Sequence, residues 1–133
     1  MNDIRLVTRK PNGAAERLFT EQTAQKTMRF HASFPEYSVT PLASLNNLAK
    51  RLGVASIHVK DESYRFGLNA FKVLGGTCCI GTVLAQKLGL GLDDVSCEML
   101  TSAPVLEKLG KMTFVSATDG NHGRGIAWTA GKL

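Results

Sequence analysis

The chain has 133 residues, 44% of them apolar and 20% charged, with a formal net charge of +5. Such a length and composition suit one packed domain or part of one, and exclude a disordered chain. No apolar run approaches the roughly 20 residues of a membrane-spanning helix, and the opening MNDIRLVTRKPNG lacks the apolar centre and small-residue cleavage site of a secretion signal.

Cys78, Cys79 and Cys97 are an odd number of thiols with two adjacent, a poor disulfide framework and not a metal-ligand spacing. A cytoplasmic chain with reduced thiols is expected, with no membrane partner. No nucleic-acid partner is expected either, because the basic residues are dispersed and no aromatic ladder accompanies them. The surplus positive charge suits a small phosphorylated ligand better.

Residues 1–35 read as an arm. They mix charges with Pro11 and Gly13 and hold a short helix over 20–30, expected to lie over the rest without forming core. Thr40 followed by Pro41 predicts a helix N-cap and first turn. Leu42, Leu45, Leu48, Ala49 and Leu52 then recur at helical spacing, and Gly53 suits the terminator. VASIHVK, 54–60, alternates apolar with polar residues and predicts a strand. After the polar loop DESYRFGL, Asn69 is placed to cap a long helix over 70–88, with Leu74, Thr77, Gly81, Leu84 and Leu88 as its buried face. Asp93 and Asp94 suit the positive end of a second helix. Pro104 opens a short third one that Gly110 ends. MTFVS, 112–116, predicts another strand, ATDGNHGRG a glycine-rich turn, and IAWTAGKL a last helix.

Strands alternating with helices predict an α/β fold, a parallel sheet with crossover helices. Only two strands are evident, and so few leave sheet edges unpaired, so the domain is expected to be incomplete. Ligands of such sheets bind beyond the carboxyl ends of the strands. Two motifs fall there. In GLNAFKVLGG, 67–76, Lys72 stands at a helix start among Leu68, Phe71 and Val73 and ahead of two glycines. An amine attacks an aldehyde only when unprotonated, and apolar surroundings favour that form, as a Schiff-base lysine requires. Gly75 and Gly76 cost about 1 kcal/mol each relative to alanine in a helix, which makes sense where something approaches closely. In TDGNHG, 118–123, Gly120, Gly123 and the following Gly125 permit unusual backbone angles and close ligand approach. Asn121 offers an amide to a ligand oxygen, and Asp119 a proton carrier. His122 has no second His, Cys or carboxylate at metal-ligand spacing.

TPLASLNNLAKRLGV, VKDES, GLNAFKVLGG and TDGNHGRGIAW, in this order, resemble the N-terminal part of the pyridoxal-phosphate enzymes of fold type II. Within that family the wording is most similar to the branch of ammonia-lyases acting on diaminopropionate. The resemblance covers about residues 35 to 133 and implies domains of 1–35, an arm, and 36–133, part of the cofactor-binding α/β domain. It implies that Lys72 carries pyridoxal 5'-phosphate covalently, that Phe71 packs on its ring, and that Asn121, with Gly120 beside it, contacts the cofactor's phenolic oxygen. Asp119 stands where the dehydratases usually carry serine, and Ala70 replaces a serine common in relatives; both favour the ammonia-lyase branch. The implied chemistry is α,β-elimination of 2,3-diaminopropionate to pyruvate and ammonia. Lys72 would take the Cα proton of the L-isomer and Asp119 that of the D-isomer, with the complete enzyme a homodimer. The alternatives are a catalytically inert interaction module and a lyase like the serine and threonine dehydratases. The family's phosphate loop lies further along the chain than any segment here; GLGLDD, 89–94, reads as a connector.

Overall fold

The computed structural model describes residues 20–118 and 120–133. Helix α1 spans Glu21–Ala32, and the Thr20 hydroxyl accepts from the Thr23 amide at its start. This segment does build core, contrary to expectation: Phe30 is 1% exposed, and its ring meets Phe34 edge-on at 5.4 Å. The polar stretch before it hides a local pattern, since Phe30 and Phe34 stand four apart and so share a face. A glycine makes the room: a Cβ on Gly81 would stand 2.3 Å from the Phe30 ring.

The first predicted helix starts later than its spacing implies. Leu42–Ser44 is a strand, β1, and helix α2 spans Asn46–Leu52. Thr40 caps no helix. Its buried hydroxyl donates to Glu62 and accepts from Arg65. The leucine stripe consequently breaks up, leaving Leu42 64% and Leu52 63% exposed while Ala49 is buried. Gly53 ends α2 in the left-handed region (φ 66°) as expected.

Strand β2, His58–Lys60, is shorter than predicted and pairs with β1, Leu42 opposite Lys60 and Ser44 opposite His58. That pairing is antiparallel and is the only sheet among the described residues, so the expected parallel sheet is not seen. The physical reason lies in 112–116. Met112 and Phe114 are half-buried between exposed neighbours, as the alternation predicts, yet among the described residues no strand pairs with them. Alternation reports one-sided burial; a ladder also needs a partner backbone.

A 3-10 turn, Glu62–Gly67, leads to helix α3, Lys72–Leu88. Asn69 does not cap it; its own φ is 54°, and Phe71 holds the cap position without a side-chain bond. Val73, Thr77, Ile80, Gly81, Leu84 and Ala85 are buried along α3, with Leu74 and Leu88 at the margin. Asp93 and Asp94 belong to a 3-10 turn, Leu92–Asp94; the next helix, α4 (Cys97–Leu100), is capped by Ser96. Helix α5, Ala103–Leu109, has Pro104 in its first turn and ends at Gly110 as expected. Helix α6, Gly120–Lys132, begins inside the glycine-rich motif rather than after it. The core joins Phe30, Phe34, Phe66, Val73, Leu84 and Leu100 between α1, α3 and α4, with Trp128 of α6 against it. Among the described residues no helix is long and apolar enough to cross a membrane.

Candidate active site

Helices α3 and α6 pack against one another more extensively than any other pair of elements, and their contacts fix a parallel register. Val73 lies against Gly125, where a Cβ would stand 2.9 Å from the Val73 Cα. One turn on, the Thr77 and Thr129 hydroxyls meet at 2.9 Å, both wholly buried. Thr77 also bonds the Val73 carbonyl (2.7 Å) and Thr129 the Gly125 carbonyl (2.8 Å). Two hydroxyl protons serve three oxygen contacts, so the pair is a shared bond between helices and not two independent side chains. Parallel helices in this register bring both N-termini to the same side.

There a cavity of about 290 Å³ is lined by Lys72, Gly75, Gly76, Cys79, Ser116, His122 and Ile126. Lys72 is the first residue of α3 and is half-buried. The two motifs therefore share a cavity, although Lys72 and His122 lie far apart in sequence. Ser116 arrives from the end of the run 112–116, which belongs to no helix or strand.

The remaining expected residues fall unevenly. Asn121 is exposed and lies beside His122 without lining the cavity. Gly120 opens α6 with φ 41°, a conformation that favours glycine. Phe71 is 59% exposed, so it does not shelter Lys72; Val73, 1% exposed, turns inward to α6. Asp119 lies outside the described residues. The glycines divide their work. Gly75 has no heavy atom within 4 Å of a built Cβ and borders open space, whereas at Gly76 a Cβ would stand 3.1 Å from Ile126 Cδ1. Gly125 serves helix packing and not ligand approach.

Cys79 and Ser116 were not singled out from the sequence. Cys79 carries a weak signal, two turns beyond Lys72 on one helix face. A second missed feature is the network below α3. Arg65 holds Glu62 through Nε (2.8 Å) and Nη2 (2.9 Å), and the guanidinium keeps the Glu62 carboxyl down at about 2. His31, 5% exposed, bonds the Leu74 carbonyl at 2.9 Å, and burial lowers its pKa. Glu62–Arg65 at i,i+3 was the available sequence signal.

These groups fit the cofactor that the resemblance implies. The cavity wall offers a primary amine, a glycine backbone that leaves room for a flat ring, and two helix N-termini whose dipoles favour negative charge. Among the described residues no cluster of three His, Cys, Asp or Glu could hold a metal ion.

Comparison with known proteins gives the family. The family model described as "Pyridoxal-phosphate dependent enzyme" matches residues 34–133. The diaminopropionate ammonia-lyase of Salmonella typhimurium is 49% identical over 121 residues, covering 91% of this chain and 30% of that protein. The enzyme of the same name from Escherichia coli K12 is 47% identical over 123 residues, 92% of this chain and 30% of its own. The crystal structure of apo Escherichia coli diaminopropionate ammonia lyase superposes with TM-score 0.77 at 48% identity, over 86% of this chain and 30% of that one. Its complex with D-serine gives TM-score 0.79 at 47% identity, over 87% and 29%. The chain thus spans about 30% of the length of the curated relatives it matches, and is homologous to diaminopropionate ammonia-lyase over that part.

Proposed function

We infer that this chain, which belongs to the family of pyridoxal-phosphate-dependent enzymes, carries the cofactor-bearing lysine of a diaminopropionate ammonia-lyase. The observation that carries the reading is Lys72 in one cavity wall with His122. Lys72 holds pyridoxal phosphate through its side-chain amine. Phe71, Gly120 and Asn121 are its further contacts, each within a residue or two of the cavity lining. When bound, the cofactor supplies a conjugated ring that accepts the electron pair left at Cα. The amine of Lys72 moves the Cα proton of an L-amino acid, and Asp119 that of a D-amino acid from the opposite face. The second role draws support from the Escherichia coli relative, whose structure is of a complex with D-serine. The product class is pyruvate and ammonia from 2,3-diaminopropionate.

The same reading makes 36–133 part of the cofactor-binding domain, with α1 adding to its core. It takes 112–116 as a strand of a parallel fold type II sheet, and the working enzyme as a cytoplasmic homodimer.

The test is chemical. The protein is mixed with pyridoxal phosphate, reduced with borohydride and digested, and the modified peptide is located by mass spectrometry. The cofactor is expected on Lys72 and nowhere else in comparable yield, and Lys72→Ala removes it. Equal modification of several lysines, with Lys72 undistinguished, overturns the reading.

A further inference from the structure

Just before α3 the backbone adopts angles that bulky residues avoid. Phe66 has φ 49° and ψ 23°, and Gly67 (φ 68°) and Asn69 (φ 54°) are left-handed as well. A non-glycine residue of this size stays left-handed only where its surroundings over-determine it. Two sets of contacts do so. The Phe66 ring, 4% exposed, is held by Trp128 at 5.0 Å, Phe34 at 5.9 Å and Tyr37 at 6.1 Å between centroids. The preceding Arg65, 7% exposed, grips Glu62 with two N–H groups and reaches back to the Ser38 carbonyl (3.0 Å) and the Thr40 hydroxyl (3.1 Å). Its guanidinium also stands 5.5 Å from the Tyr37 ring centroid. One side chain thereby ties 38–40, Glu62 and the reversal at Phe66 together.

Beyond Lys72 the helix is held by Val73 against Gly125 and by His31 at the Leu74 carbonyl, and ahead of it Leu68 and Ala70 add apolar packing. Residues 68–71 belong to no helix or strand, and no side chain caps α3. The position of the first turn of α3 is set jointly by that packing and by the turn before it.

We propose that Arg65 is a positioning residue for Lys72: by locking the left-handed turn at 66–69 it sets where the Lys72 amine stands over the cavity shared with His122. The proposal rests on the reading of Lys72 given above, but concerns its placement and not its cofactor. A planar fork is needed, because Lys presents one nitrogen and cannot hold a carboxylate, a backbone carbonyl and a hydroxyl at fixed angles.

Arg65→Lys keeps the charge and loses the fork; Glu62→Gln keeps the shape and loses the charge. Each is compared with the wild type in three measurements: amide exchange over 66–74 and over 125–132, the pH profile of Lys72 acylation by acetic anhydride, and borohydride trapping of pyridoxal phosphate. In Arg65→Lys, exchange over 66–74 is expected to rise about tenfold or more, with little change over 125–132. The Lys72 acylation profile shifts with it, and Glu62→Gln moves both in the same direction by less. Exchange that rises equally in both windows, or a Lys72 profile identical to the wild type, overturns the proposal; if Arg65→Lys does not fold, Glu62→Gln decides alone. A wild type that traps no cofactor, while exchange and acylation respond as stated, refutes the cofactor reading and leaves the positioning role standing.

Discussion

Replacing Gly125 by alanine tests whether the register of α3 and α6 is what assembles the site. In an isolated helix the change is favourable by about 1 kcal/mol. Here the added Cβ stands 2.9 Å from the Val73 Cα and 3.3 Å from its N. Both are backbone atoms, so no side chain can swing aside and the helices must move apart. Overpacking of this kind costs about 1–3 kcal/mol, and stretching the buried Thr77–Thr129 contact adds roughly 0.5–1.5 kcal/mol. The net expectation is a loss of about 0.5–3.5 kcal/mol. Gly131 of the same helix is the control, since a Cβ there meets nothing within 4 Å. Gly131→Ala should stabilise by about 0.5–1 kcal/mol. Urea unfolding followed by far-ultraviolet circular dichroism measures both. The reasoning fails if Gly125→Ala is as stable as Gly131→Ala.

The Arg65–Glu62 pair sets an acid limit. The Glu62 pKa falls from 4.5 to about 2 on folding, chiefly through the Arg65 hydrogen bonds, and a depressed carboxyl stabilises the fold above its unfolded value. The stabilisation, roughly 2–3 kcal/mol for a side chain 19% exposed, is complete above pH 4.5 and lost as pH falls towards 2. Urea midpoints measured down this range should drop steeply in the wild type and less in Glu62→Gln. On the function proposed above, Asp119→Asn in the full-length enzyme should abolish pyruvate formation from D-diaminopropionate and spare the L-isomer; D-isomer turnover that survives refutes the role proposed for Asp119.

Local chemistry was more legible in the sequence than pairing was. Gly53, Gly110 and Pro104 marked helix ends correctly because caps and terminators depend on a few neighbouring residues. The start of α2 was misread because Thr40–Pro41 is a convincing cap signal, and only the fold reveals that Glu62 and Arg65 have claimed the Thr40 hydroxyl. The strand at 42–44 was hidden by leucines that also fit a helix. Lys72 and the GNHG turn were expected at one site, but what brings them together was not legible: Gly125 and Thr129 facing Val73 and Thr77. Cys79 and Ser116 were missed because lining a cavity is a property of two or more elements at once.

The two glycines after Lys72 show how closely packing and chemistry are combined in α3. Gly76 lets Ile126 of α6 approach, which draws the GNHG turn towards the lysine. Gly75 lies between two hollows, the cavity of Lys72 and a larger groove of about 570 Å³ against α1, lined by Met28, His31 and Leu74. Any side chain there would project into open space instead of core. A helix stabilised only for its own sake would carry alanine at both positions, gaining about 2 kcal/mol. The sequence forgoes that gain in the turn that holds the amine. At Gly76 neighbouring atoms explain the loss, whereas at Gly75 no atom among the described residues does.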